Sequence, residues 1–192
     1  MSYQTAKANQ ELKAIYREYV SGYKEACAAS RDRFMAKLSP GAKIPDHGKI
    51  YDQEGKAEFT AKCSGLRAKA HEVTSGMLKD LRVKATEAPS TEAVNAITVL
   101  GMRKKITESE VSDLLGQYGS NPLCWKSIVD IAEAHDIHSF GEHPVDASIH
   151  KLEDIDAKIE RNLTTMNAEQ GRATEGWIAM AGIDIDCALP VD

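Results

Sequence analysis

The sequence predicts an all-α protein: a long antiparallel helical hairpin that resembles a coiled coil, a small helical lobe and an extended C-terminal tail. Three observations lead to this fold class. Apolar residues recur every three or four positions along two long stretches, which is the spacing of one helix face. Two prolines and two glycines separate those stretches. Beyond Pro89 the helical pattern continues in shorter segments with recognisable caps.

The two arms of the hairpin carry matching apolar stripes. Residues 3–38 hold no proline, and Gly22 is their only glycine, so a single helix is expected there. In the second arm the spacing continues over residues 59–81, which keeps the stripe on one face through about six turns. The stripe residues are Leu12, Tyr16, Tyr19, Tyr23 and Ala26 in the first arm, and Phe59, Cys63, Leu66, Ala70, Val73, Met77 and Leu81 in the second.

The turn of the hairpin is expected within residues 39–48, because Pro40 and Pro45 each remove a backbone donor and fix φ. A turn centred near residue 45 would place Cys27 level with Cys63. Each arm would then be about 30 residues, or roughly 45 Å, long. Arms of this length have more apolar stripe than one compact core covers, so we expect self-association, as a homodimer.

A small lobe of short helices is predicted for residues 90–140, after a boundary at Pro89. Thr107 and Glu110 have the spacing of a capping box at a helix start. Asn121 followed by Pro122 has the form of an N-cap and a first helical residue. The predicted organisation is therefore a hairpin over residues 1–89, this lobe over 90–140, and a last segment over 141–192.

The last segment is predicted to hold a long amphipathic helix over about residues 146–167, followed by an apolar tail. The helix would pair with the hairpin or with a copy of itself. The tail would either pack on its own domain or dock on a partner. In the second interpretation the partner-binding residues are Trp177, Ile178, Met180, Ile183 and Ile185.

The formal net charge of -5 is divided unevenly along the chain. Residues 1–89 hold 16 Lys and Arg against 11 Asp and Glu, whereas residues 90–192 hold 8 against 18. A basic first half is typical of either a nucleic-acid-binding arm or an ordinary solvated helix surface. The interleaving of Lys and Arg with Glu at helix-pair spacing favours the solvated surface.

The sequence also indicates a compartment. No run approaches the roughly 18 apolar residues of a membrane-spanning helix, and the N-terminus lacks an apolar stretch of signal-peptide type. A cytoplasmic protein is therefore expected. The cysteines lie far apart without a Cys-x-x-Cys pair, which is typical of reduced thiols rather than of a disulfide framework or a zinc site; they are Cys27, Cys63, Cys124 and Cys187.

The motifs of common enzyme classes do not occur. The Gly- and Lys-bearing residues 41–49 lack the spacing of a phosphate-binding loop, and the pair His71-Glu72 is not followed by a second zinc-binding histidine. No Ser-His-Asp or Cys-His arrangement stands out either. We therefore expect a non-enzymatic protein without a cofactor.

The best candidate for a ligand site is the loop over residues 135–143, where His135, His138 and His143 lie close in sequence to carboxylates, with His150 beyond them. Such a set could ligate zinc or nickel, but histidines also commonly occupy helix ends and turns. Because the spacing is not specific, no metal ligand is assigned. Residues 106–134 have the outline of a helix-turn-helix, but Lys126 is the only base of the second helix and its acids would be repelled by phosphate.

A resemblance to a known group of proteins is carried by the pattern Ile106-Thr107-x-x-Glu110, continued by Leu114, Leu115, Tyr118 and Asn121, then Ile128-x-x-Ile131-Ala132. This helix order resembles uncharacterised helical proteins of tailed phages of Gram-positive bacteria, which also begin with a long charged helical region. The resemblance implies an accessory or assembly protein in the host cytoplasm, and it transfers no catalytic residue. The predicted function is thus protein–protein interaction, either as an assembly component or as an inhibitor of a host factor. The alternative is nucleic-acid binding through the basic face of the hairpin.

Overall fold

The computed structural model describes residues 2–43 and 48–169, with side chains from residue 7 onward. Within these ranges the ordered elements are helices and no strand occurs, so the predicted all-α class is confirmed. None of the described helices is long and apolar enough to cross a membrane. The helices are α1 (Ser2–Met35), α2 (Gln53–Ala85), α3 (Thr91–Gly101), α4 (Glu108–Tyr118), α5 (Pro122–Glu133), α6 (Pro144–Asn162) and α7 (Thr165–Glu169).

Helices α1 and α2 form the predicted antiparallel hairpin. The Phe59 ring lies 5.7 Å from the Tyr19 ring and 5.4 Å from the Tyr23 ring. Nearer the turn, Arg33 pairs with Asp52 at 3.0 Å. The residue numbers of these pairs sum to 78, 82 and 85, and those of the ion pairs Glu25–Lys62 and Glu18–Lys69 sum to 87, which centres the turn between about residues 39 and 44 rather than at residue 45. The turn is therefore centred a few residues earlier than predicted, and α1 ends at Met35.

Helices α6 and α7 supply the third side of this bundle. The Tyr19 hydroxyl donates to the Thr164 carbonyl oxygen at 2.9 Å. Farther along α2, Arg67 Nη1 donates to Glu160 Oε1 at 3.1 Å. Successive residues along α2 bind residues of α6 and α7 that come progressively earlier in the chain. Helix α6 therefore runs antiparallel to α2 and packs on the hairpin, which is one of the two arrangements that the sequence predicted.

The apolar stripes of the hairpin are buried within the chain. Their central residues are almost completely inaccessible to solvent, and apolar residues of α6 are buried with them. The exposed stripe from which self-association was inferred is therefore covered, and a homodimer, which stays a prediction, needs another surface. The buried residues are Leu12, Tyr16, Tyr19, Tyr23, Phe59, Cys63, Leu66 and Ala70 of the hairpin and Leu152, Ile155 and Ile159 of α6.

The short helices of the lobe begin where the sequence indicated. Thr107 and Glu110 form the complete capping box of α4. The Asn121 side chain accepts from the Cys124 amide at the start of α5, with Pro122 in the first turn. Helices α3, α4 and α5 then pack around one core cluster, whose buried members are Leu100, Val111, Leu115, Ile128 and Ala132.

The chain divides into two compact units. Among the described residues, the bundle unit takes those up to Met77 and from Leu152 to Glu169, and the lobe unit takes Leu78–Lys151. These bounds differ from the three predicted segments, because α2 and α6 each contribute residues to both units. The tail residues proposed to bind a partner, Trp177, Ile178, Met180, Ile183 and Ile185, lie outside the described residues.

Candidate functional site

The histidine-bearing loop between α5 and α6 is fixed in place by two ring side chains. The Trp125 indole N–H donates to the Gly141 carbonyl oxygen at 3.0 Å. His143 is buried beside it, with the two rings edge to face and 5.6 Å apart. The loop is thus held against α5 by a tryptophan whose own donor is satisfied.

His143 has a structural task at the start of α6. Its Nε2 lies 3.1 Å from the Gly119 carbonyl oxygen, and its Nδ1 accepts from the Val145 amide at 3.1 Å. Both ring nitrogens are therefore occupied in the neutral tautomer that carries hydrogen on Nε2. Burial lowers the pKa of His143, which favours the same neutral form. This histidine caps α6 and has no lone pair left for a metal.

The metal-binding hypothesis for this loop gains no support from the geometry. Among the described residues, no three His, Cys, Asp or Glu side chains lie in an arrangement that would hold a metal ion. His150 Nδ1 instead lies 2.9 Å from Glu142 Oε1, as a surface pair.

A cleft of about 460 Å³ opens beside this loop, within the lobe unit. Carboxylates outnumber ammonium groups in its lining: Asp130, Glu142 and Asp146 contribute carboxylates, and Lys126 contributes an ammonium group. The volume falls in the range of small-ligand sites, roughly 300–1,000 Å³. Its apolar walls come from the end of α2, from α5 and from α6, and consist of Ala85, Pro122, Leu123, Trp125, Val129 and Ile149.

An exposed face without charge runs along α3. Val94, Val99 and Met102 of this face are 47%, 62% and 78% exposed. At 100° per residue the exposed side chains of this face span an arc of about 140°. The face consists of Thr91, Val94, Asn95, Thr98, Val99 and Met102.

The ends of α3 carry opposite charges. Glu92 lies in its first turn, and Arg103, Lys104 and Lys105 follow its last residue. The acid in the first turn complements the helix dipole, and the bases lie just beyond the last turn, where Arg103 also pairs with Glu110. The result is a short uncharged surface with an acidic end and a basic end.

A histidine also joins two helices of the bundle unit. His71 Nδ1 lies 2.6 Å from Asp156 Oδ1, and its Nε2 lies 3.0 Å from Glu160 Oε2. Asp156 also accepts a hydrogen bond from Thr74. Hydrogen bonds to the two carboxylates raise the pKa of His71, since both bonds require a protonated ring. In its protonated form this ring therefore links α2 to α6.

A carboxylate organises the start of α2. Asp52 accepts hydrogen bonds from the Ser30 hydroxyl, from Arg33 and from the Gly55 amide. These donors lower the pKa of Asp52 to about 2, with Ser30 contributing most and the Gly55 amide next. The group acts as the N-cap of α2 and ties the helix to α1, which is a structural role.

The basic residues of the hairpin are largely paired. Lys62 and Lys69 pair with Glu25 and Glu18 across the hairpin, and Arg67 pairs with Glu160 of α6. Residues 1–77 hold 13 Lys and Arg against 9 Asp and Glu, whereas residues 152–169 hold 2 against 5. Much of the charge division along the sequence is therefore balanced within the bundle, which supports the solvated-surface interpretation.

The described thiols are poor nucleophiles. Cys27, Cys63 and Cys124 are free and buried. Burial raises the pKa of Cys63 to about 11, and it also raises the pKa of Cys124. Since the thiolate is the reactive form, these residues serve as small core side chains, as the sequence indicated.

Comparison of the chain with protein-family models, with curated proteins and with solved structures gave no match. The candidate sites therefore depend on the geometry alone. Sequence reasoning had identified the histidine loop, but it had missed the α3 face and the cleft beside Trp125. The α3 face had a sequence signal, because Glu92 is the only charged residue of the helix. The cleft had none, since its walls come from separate helices.

Proposed function

We propose that this chain is a non-enzymatic protein that functions through protein–protein interaction, and that it self-associates as a homodimer through the exposed face of α3. The observation that carries the proposal is the uncharged surface of Val94, Val99 and Met102. The apolar side chains of this face gain free energy by leaving water, which favours packing on another protein.

The charges at the two ends of α3 would be complementary in a pair of chains. In an antiparallel pair of α3 helices, the acidic Glu92 end of each would face the basic end of the other. The same patch would serve both subunits, which is the usual symmetry of a homodimer.

The expected affinity is modest. Burying a whole Val or Met side chain is worth about 1.5–3 kcal/mol, so the exposed fractions of the three residues contribute roughly 4 kcal/mol per subunit. Two copies then supply about 8 kcal/mol, which the loss of free rotation and translation reduces by about 4 kcal/mol or more. A helix of 11 residues is also only about 16 Å long. The remaining free energy of about 4 kcal/mol or less corresponds to a dimer that forms at about millimolar concentration.

Analytical ultracentrifugation over a wide range of protein concentration tests the proposal. The wild-type mass should rise toward that of a dimer, and Val99→Glu should keep the protein monomeric. Val83→Glu is the matched control, because Val83 is 67% exposed and lies on α2 rather than on α3. An unchanged dimer in Val99→Glu, or a wild-type monomer at every concentration, would contradict the proposal.

The alternative, nucleic-acid binding by the hairpin, has less support, because several of its basic residues are held in ion pairs. Strong salt-dependent retention on heparin would favour it instead. In the setting that the phage resemblance implies, the proposed protein would work in the host cytoplasm as an assembly component or as an inhibitor of a host factor.

A further inference from the structure

We propose that the cleft of the lobe unit binds the side chain of an arginine supplied by another polypeptide. This inference concerns a surface separate from α3, and it does not depend on self-association. It starts from the charges that line the cleft, where Asp130, Glu142 and Asp146 lie with Lys126 and His150, and where His150 pairs with Glu142. Among the described residues, Asp130 and Asp146 have no ion-pair partner. The cleft therefore favours a cation.

The shape of the cleft selects among cations. Apolar walls from Leu123, Val129 and Ile149 suit the methylene stem of a long basic side chain better than they suit a hydrated metal ion. Carboxylates accept a guanidinium group in a two-pronged geometry that an ammonium group cannot reproduce. A long stem that ends in a planar cation matches both features.

Trp125 adds a third feature. Its ring lines the cleft, and its N–H is already bound to the Gly141 carbonyl oxygen. The edge-to-face contact with His143 holds the ring from another side. A fixed indole attracts a cation over its face, and guanidinium groups stack on such rings more often than ammonium groups do. Because the ring needs no reordering, binding has a smaller entropy cost.

The test uses short blocked peptides and the fluorescence of Trp125. Trp177→Phe provides a background in which Trp125 is the only tryptophan of the chain. The probe is acetyl-Ala-Arg-Ala-amide, and its control is the same peptide with citrulline, which keeps the shape of arginine but lacks the charge. We expect the arginine peptide to change the fluorescence with saturation and the citrulline peptide to leave it unchanged.

Variants of the cleft give the second part of the test. Asp146→Asn should weaken binding of the arginine peptide by about fivefold, the effect of about 1 kcal/mol at a partly exposed charge pair. Lys126→Gln should strengthen it by a similar factor, because it removes the competing cation, and a loss of folding cannot produce this result. Asp113→Asn, an exposed carboxylate on α4 outside the cleft, should have no effect.

Three results would overturn the inference. One is equal binding of the arginine and citrulline peptides, and another is the absence of a saturable signal at millimolar peptide. The third is an Asp113→Asn variant that weakens binding as much as Asp146→Asn does. Since none of these measurements involves the α3 face, they can fail while the dimer proposal holds, and the reverse is also true.

Discussion

Replacement of Asp52 by asparagine would test how the hairpin turn is stabilised. Asparagine is as good an N-cap as aspartate, and its side-chain oxygen can still accept from the Gly55 amide. What the change removes is the negative charge facing Arg33 and the acceptor of the Ser30 hydroxyl. The comparison therefore tests the charge and the Ser30 acceptor together, while the cap on the Gly55 amide is kept.

The expected loss follows from the pKa of Asp52. A decrease from 3.8 to about 2 on folding corresponds to roughly 2 kcal/mol of stabilisation by the ionised form. The side chain is 28% exposed, so solvent screening reduces the effect to about 1–2 kcal/mol. We expect Asp52→Asn to lower the free energy of unfolding by this amount at neutral pH.

The sign of the pH dependence provides the decisive measurement. A carboxyl group whose pKa is lower in the folded protein stabilises the fold above its unfolded pKa, and this contribution disappears as the pH falls through the folded pKa. Urea unfolding of the two proteins should therefore differ at about pH 7 and converge between about pH 4 and pH 2. Asp32→Asn, at an exposed carboxylate of α1, is the control. A difference that stays constant down to pH 2, or one that is absent at pH 7, would refute the reasoning.

Two further predictions concern other parts of the fold. His71→Gln should lower the melting temperature at about pH 5.5 and have little effect well above the raised folded pKa. The protonated ring stabilises the fold below its unfolded pKa, and this stabilisation is lost as the pH rises through the folded pKa. An equal loss at both pH values in circular-dichroism melts would contradict this prediction. Gly119→Ala should destabilise the lobe by more than about 1 kcal/mol, because its new Cβ would meet the Leu115 carbonyl oxygen. Gly116→Ala should instead be neutral or stabilising by up to about 1 kcal/mol, because that Cβ meets nothing within 4 Å. The same melts check both glycine variants, and similar effects of the two would show that the close contact is not the cause.

Much of the fold was predictable, because it depends on local spacing. The three- and four-residue steps of the hairpin stripes correspond to buried residues such as Leu12 and Phe59. The caps at Thr107 and Asn121 open helices where they were expected. The exact register of the hairpin was not predictable, since the end of α1 depends on side chains that meet across the turn, such as Arg33 and Asp52.

The candidate sites were less predictable. The sequence placed a histidine cluster in one loop, but it could not show that both nitrogens of His143 are used to cap α6 and to bind Gly119. It also gave no indication that Trp125 and Asp146 line one cleft. These contacts join residues that are distant along the chain, and no local sequence pattern predicts them.

The sequence by itself determined the helical class, the amphipathic faces and the helix starts, because periodicity and capping act within a few residues of the chain. Only the tertiary structure decided what covers each face. It placed α6 over the stripes of the hairpin, and it paired His71 with carboxylates more than 80 residues away. It also left Val94, Val99 and Met102 of α3 exposed. An amphipathic helix specifies that one face must be buried, but the partner that buries it is chosen by packing between distant segments.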